Sequence, residues 1–299
     1  MTTVIQTREL SRRFGSVRAV EKVSIDIEQN RIYGLLGRNG AGKTSLMQLL
    51  TGHSFPSSGE VLVYGERPAE NSRVLQQLSF VKESQKYPDS FKARHMIEAA
   101  SHFFANWDQA FADRLTEDFR LPLNRAIKKL SRGQLSSVGV IVGLASRAPI
   151  TFFDEPYLGL DAVARSIFYD RLLEDYAENP RTVILSTHLI DEVANLLEHV
   201  ILINNGRIIL DESAEALRGS AVTLAGRRAT IDEFTAGRTI LGRESIGALA
   251  TVTIAGALSE TERAAASAAG LELAPVSLQQ LIIRLTEQAD AVSTEEVSA

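Results

Sequence analysis

The sequence predicts an α/β fold with a small C-terminal α+β domain, and three observations predict it. Residues Gly37-Arg38-Asn39-Gly40-Ala41-Gly42-Lys43-Thr44 fit the spacing GxxxxGK[ST] between an apolar run and a helix-like run. The short apolar stretches Ile32 to Leu36, Ile150 to Phe153 and Val183 to Leu185 have the character of strands buried on both faces. From about Ser220 to Glu287 the composition changes, and short strand-like runs alternate with an Ala-rich helical segment.

Taken in order, Val4 to Asp26 alternates as antiparallel strands around a turn at Arg13-Phe14-Gly15-Ser16. The core strand at Ile32 then leads through the glycine-rich loop into a helix that begins at Gly42 or Lys43 and runs to Leu50. Gly59 to Gly65 reads as a hairpin-like piece, and the character is helical from about Asp89 to Leu144. Ile150 to Phe153 and Val183 to Leu185 flank a helical stretch, Val163 to Glu178. Asp154 and His188 follow these two strands, at the carboxyl ends where open α/β sheets place ligands.

In the C-terminal region Ala221 to Leu224 and Ala250 to Ile254 read as strands. Glu260 to Ala269 reads as a helix opened by Ser259 and closed by Gly270. Ser277 and Gln280 have the spacing of a capping box before Leu281 to Leu285. The segments Val138 to Leu144 and Ile246 to Leu258 are expected to be buried. Residues 288–299, acidic and without a base, are expected to be disordered.

A chain of 299 residues with 44% apolar content can bury a full α/β core and leaves room for a second domain. Its net charge of −5 and pI near 5.7 argue against a general nucleic-acid binder, so no nucleic acid is expected as partner. Without cysteine there is no disulfide framework and no thiolate zinc site, which fits a reducing compartment. The N-terminus lacks the order of a secretory signal, and no apolar run approaches the roughly 18 residues of a membrane span.

The glycine-rich loop carries the first functional expectation. Its glycines let successive backbone N–H groups converge on phosphate oxygens at a helix N-terminus. Lys43 adds a full charge, and Thr44 would place its hydroxyl on Mg²⁺, so the loop suits a nucleoside triphosphate with its metal. Four further segments follow: Leu130-Ser131-Arg132-Gly133-Gln134, then Phe152-Phe153-Asp154-Glu155-Pro156, then Gly159-Leu160-Asp161, then Ser186-Thr187-His188. In this order they resemble the ATP-binding cassette (ABC) family, from about Val4 to Arg218. LSRGQ is similar to that family's signature, FFDEP to its Walker B strand, GLD to its D-loop and STH to its H-loop.

The resemblance implies a P-loop NTPase fold of ABC type over residues 1–218, with a RecA-like core, an antiparallel β lobe and a helical subdomain at about 89–146. An accessory α+β domain would follow at 219–287. It implies ATP as ligand, held by Gly37, Arg38, Asn39, Gly40, Ala41, Gly42, Lys43, Thr44 and Ser45, with Phe14 stacked on adenine. Mg²⁺ would be held by Thr44, Asp154 and Glu83. Lys43 would act on the phosphates and Glu155 as general base, a contribution of about 10²–10⁴-fold. His188 would hold the γ-phosphate and the water in line.

Ser131, Gly133 and Gln134 would cap ATP bound by a second copy of the chain or by a homologous ATPase subunit, and Asp161 would lie at the same interface. Two positions depart from the family pattern: Arg132 replaces the usual glycine, and Glu83 takes the place of the usual glutamine, with Gln85 two residues on as the alternative. The segment Phe103 to Asp108 is similar to ATPases of bacterial multidrug and antibiotic-peptide export systems. That similarity implies an integral membrane subunit as partner, facing Glu83 to Met96, and a cytoplasmic location at the inner face of the membrane. The readings set against it are a soluble non-transport ABC ATPase and a small-molecule P-loop kinase, which leaves LSRGQ, GLD and STH without a purpose.

Overall fold

A computed structural model describes residues 2–83 and 85–298, with side chains as far as residue 291. The chain forms two units, Met1–His188 with Asn195–Asp211, and Leu189–Ala194 with Glu212–Ala299.

The first unit opens with a β lobe. Strand β1 (Thr3–Phe14) turns back into β2 (Val17–Val23), and β3 (Asp26–Glu28) also pairs antiparallel with β1. Strand β4 (Ile32–Leu36) passes into a central sheet, α1 (Lys43–Leu50) follows the glycine-rich loop, and β5 (Ser58–Val63) returns to β1. The segment expected as a hairpin at Gly59 to Gly65 therefore pairs mainly with β1, Val63 opposite Ile5 and Val61 opposite Thr7. Val61 and Val63 are buried, and only a partner strand with its own core face satisfies both their side chains and their backbone.

Helix α2 (Ser72–Leu75) and strand β6 (Leu78–Lys82) lead into the helices α3 (Ala93–Phe103), α4 (Gln109–Asp118) and α5 (Arg132–Ala145). Strand β7 (Ile150–Asp154), helix α6 (Ala162–Glu178) and strand β8 (Thr182–Thr187) complete the alternation. After α7 (Ile190–Val193), which belongs to the second unit, come β9 (His199–Asn204) and β10 (Arg207–Ser213).

The central sheet has the order β10-β9-β4-β8-β7-β6, and the pairs from β9 to β6 are parallel. Every residue of β4, β7 and β8 is buried, as expected of strands covered on both faces. The register sets Leu36 beside Thr187, Asp154 beside Ser186 and Lys82 beside Asp154. The glycine-rich loop, Glu83, Glu155 and His188 therefore all leave the sheet at the carboxyl ends of its parallel strands.

In the second unit, after α8 (Ala214–Leu217), four strands form a sheet. They are β11 (Ala221–Arg227), β12 (Ile240–Ile246), β13 (Leu249–Ala255) and β14 (Glu272–Pro275), ordered β12-β13-β11-β14 with every pair antiparallel. Helices α9 (Arg228–Phe234) and α10 (Glu260–Ala268) pack on it, and Ile231, Val252, Ile254 and Ala266 belong to its core.

The Ser259 cap forms as expected, Ser259 Oγ accepting the Glu262 N–H at 3.3 Å. The box before α11 (Leu278–Ser298) also forms, with the Ser277 N–H on Gln280 Oε1 at 3.1 Å and the Gln280 N–H on Ser277 Oγ at 3.2 Å.

Two expectations fail in this unit. Ile246 sits beside the β12–β13 turn and is 86% exposed, because the apolar run bends at Gly247 before Leu249. The acidic tail is helical to Ser298, since neither proline nor glycine interrupts α11; Ala299 and the side chains from Val292 on lie outside the described residues.

Candidate functional site

The glycine-rich loop closes because the backbone of its neighbours leaves no room for side chains. Gly42 has φ +114, and a Cβ there would lie 2.3 Å from the Ala19 carbonyl; at Gly37, φ +152, one would lie 2.3 Å from the Ile203 carbonyl. Gly42 caps α1 with no side-chain hydrogen bond, so the first-turn N–H groups of the helix keep their donors for a ligand. Lys43, 5% exposed, donates its ammonium to the Gly37 and Arg38 carbonyls at 2.8 and 3.2 Å. Its third partner is the Glu155 carboxylate, at 3.1 Å.

The two acids at the end of β7 are held by a residue of the next strand. Ser186 donates its hydroxyl to Asp154 Oδ1 at 2.6 Å and accepts the Glu155 N–H at 3.0 Å. Glu155 has φ +48, a turn that carries its side chain away from the strand. Its carboxylate spans two partners, Lys43 through Oε1 and His188 Nδ1, 3.1 Å from Oε2.

These groups share a cavity of about 630 Å³, lined by Asn39, Gly40, Gly42, Lys43, Thr44, Ser45, Glu83, Asp154, Glu155 and His188 among others. A buried ammonium and an uncapped helix N-terminus fit an anionic ligand. Thr44, Asp154 and Glu83 offer oxygen donors only, the kind that Mg²⁺ takes. Among the described residues no group of three or more His, Cys, Asp or Glu could hold a metal, so a cation here needs oxygens from the ligand and from water, as Mg²⁺ ordinarily does. The residues present therefore fit the ion.

Gly37, Arg38 and Ala41 shape the loop without lining the cavity. Glu83 lines it, and also an adjoining hollow with Lys82, Gln85 and Lys86; Gln85 reaches only that hollow, and Ser84 between them lies outside the described residues. The Glu83 carboxylate is paired with Arg132 at 2.5 Å, which joins the two departures from the family pattern across 49 residues.

Phe14 does not line the cavity. The Arg12 guanidinium lies over one face of its ring, 4.6 Å from the centroid, the residue is 49% exposed, and the cavity wall includes Val17, Arg18 and Ala19 of β2. Ser131, Gly133, Gln134 and Asp161 are not among the lining residues either. Ser131 and Gln134 form a capping box at the start of α5, and Asp161 caps α6 by accepting the Ala164 N–H at 2.8 Å.

Sequence reasoning missed Val17, Arg18, Ala19, Leu158 and Asn205 in the wall, and Ser186 and Tyr157 behind it. For Asn205 a signal existed, since Asn-Gly between two apolar runs marks a two-residue hairpin turn, and both residues have positive φ, 49 and 79.

The family model for "ABC transporter" matches residues 20–158. The putative ABC transporter ATP-binding protein AlbC of Bacillus subtilis (strain 168) is 32% identical over 200 residues, 63% of this chain and 82% of that protein. The chain belongs to the ABC transporter family. As a member it is an ABC ATPase with the P-loop NTPase fold. The bacitracin transport ATP-binding protein BcrA of Bacillus licheniformis is 29% identical over 213 residues, 70% of this ABC ATPase and 69% of that one. Among solved structures, a dimeric post-hydrolysis state of the ATP-binding cassette MJ0796 bound to ADP and Pi superposes with a TM-score of 0.61 at 20% identity, over 70% of this chain and 98% of that one. No helix among the described residues is long and apolar enough to cross a membrane.

Proposed function

We propose that this ABC ATPase is the nucleotide-binding subunit of an exporter and that it energises a separately encoded membrane subunit by closing on ATP as a head-to-tail dimer. The observation that carries the reading is the convergence of Lys43, Thr44, Asp154, Glu155 and His188 on one cavity at the carboxyl ends of the central strands. Lys43 and the N–H groups of the loop bind the phosphates, and the phosphate displaces the Glu155 carboxylate from the ammonium. Glu155 then takes a proton from the attacking water, while His188 orients that water and the terminal phosphate. Thr44, Asp154 and Glu83 would hold Mg²⁺, which would supply charge neutralisation to the phosphates.

Ser131, Gly133 and Gln134 complete the partner's site, and Asp161 meets the partner across the same interface. That MJ0796 with ADP and Pi is dimeric supports the pairing of two copies. A transport role is supported by similarity to BcrA, whose name gives bacitracin transport. The membrane subunit would dock near Glu83 to Met96, where Phe91 is 42% exposed, and would place this subunit on the cytoplasmic face of the membrane. Residues 219–287 form the accessory domain of the proposal.

Glu155→Gln tests the assignment. The variant is expected to bind ATP, lose turnover by at least about 10²-fold and accumulate an ATP-bound dimer on size-exclusion chromatography. Normal turnover would remove Glu155 from the role of base.

A further inference from the structure

Tyr157 belongs to none of the motifs above, yet it is 2% exposed and its hydroxyl points at the catalytic histidine. The phenol oxygen accepts the His188 backbone N–H at 3.0 Å and also takes a hydrogen bond from the Thr187 hydroxyl. It lies 3.0 Å from His188 Nδ1, with the two rings edge to face at 5.6 Å between centroids. With two donors already directed at the oxygen, the phenol has one proton to give, and two acceptors stand within its reach, His188 Nδ1 and the Glu155 carboxylate. Burial pushes the phenol up to about 12, so the hydroxyl keeps its proton over the working range.

The same nitrogen is 3.1 Å from Glu155 Oε2, and the carboxylate can only accept. Nδ1 can therefore carry a proton for Glu155 or receive one from Tyr157, but not both. The choice fixes the tautomer. If Nδ1 is protonated it ties up the base. If Nδ1 accepts from Tyr157, a neutral ring carries its proton on Nε2, the nitrogen left for a ligand.

Resting on the assignment of Glu155 and His188 above, we propose that Tyr157 is a positioning residue: its O–H on Nδ1 and its hold on the His188 backbone lock the imidazole as the Nε2–H tautomer. That tautomer presents an N–H donor to the terminal phosphate and leaves the Glu155 carboxylate free for the attacking water.

Tyr157→Phe removes the hydroxyl and keeps the ring. Its kcat for ATP hydrolysis is expected to fall about 10-fold, the lower end for loss of a group that orients a functional histidine, with KM for ATP within about twofold. ¹⁵N spectra of histidine-labelled protein, with His188 identified by its absence from a His188→Gln sample, are expected to show an unprotonated Nδ1 in the wild type and a protonated one in Tyr157→Phe. A kcat within twofold of wild type overturns the proposal, and so does a His188 tautomer that is Nδ1–H already in the wild type or unchanged in the variant. If His188→Gln itself hydrolyses ATP normally, the role of the histidine fails first, and that outcome is separate from a failure of Tyr157 alone.

Discussion

Asp154 and Glu155 depend on Ser186, whose hydroxyl donates a hydrogen bond to the carboxylate of one and accepts one from the backbone N–H of the other. Asp154 and Ser186 are buried and Glu155 is partly so, and removing the hydroxyl leaves a buried carboxylate oxygen and a backbone N–H each short of a partner. Ser186→Ala is expected to cost about 1–3 kcal/mol in unfolding free energy by urea titration and to lower kcat as Asp154 and Glu155 lose their register. Unchanged stability and turnover would show that water replaces the hydroxyl without loss. Ser186 was visible in the sequence only as a neighbour of His188. Its role comes from the alignment of β8 with β7, which no local pattern records. The glycine-rich loop was legible because its function resides in backbone geometry, which a spacing of glycines specifies directly. The Arg12 guanidinium over the Phe14 ring was not legible, since nothing in the spacing reveals that contact.

Elements were legible where the signal is local. The cap at Ser259 and the box at Ser277 lie within three residues of their partners and form as the sequence implies. The Glu83–Arg132 pair joins β6 to α5, so the two departures from the family pattern could be noticed separately but not connected. At α10 the local cap gains a distant partner, and a pH dependence follows. The Arg238 guanidinium, 2.6 Å from Glu262, holds that carboxyl down to about 2 from an ordinary 4.5, and the Ser259 N–H and hydroxyl add to the effect. A carboxyl depressed in the folded state stabilises above its unfolded pKa and loses that contribution as pH falls through the folded value. Wild type should therefore melt above Glu262→Gln by a constant interval at neutral pH. The interval should close between about pH 4.5 and pH 2, measured by thermal scans that follow the second unit. An interval independent of pH would assign the stabilisation to packing.

At the scale of the whole molecule, the proposed site divides between chains. The phosphate loop, the Walker B acids and His188 line one cavity, whereas Ser131, Gly133, Gln134 and Asp161 do not line it, although Arg132 beside them reaches Glu83. If the signature residues act on nucleotide held by another copy, lesions on the two sides of the site should complement. Ser131→Arg would place a long cation where the cap of α5 meets the partner's phosphate, and Lys43→Ala would remove the ammonium from the loop; each homodimer is expected to be nearly inactive. Mixing them forms a heterodimer in which one site carries both lesions and the other pairs an intact Lys43 with an intact Ser131. Partial recovery of ATPase activity on mixing is the expected result, measured against each variant alone at the same total concentration. No recovery, in samples where crosslinking shows the heterodimer, would mean that one intact site cannot turn over alone. Normal hydrolysis by either variant while it remains monomeric would end the shared-site reading, because a single chain would then hold every group the reaction needs.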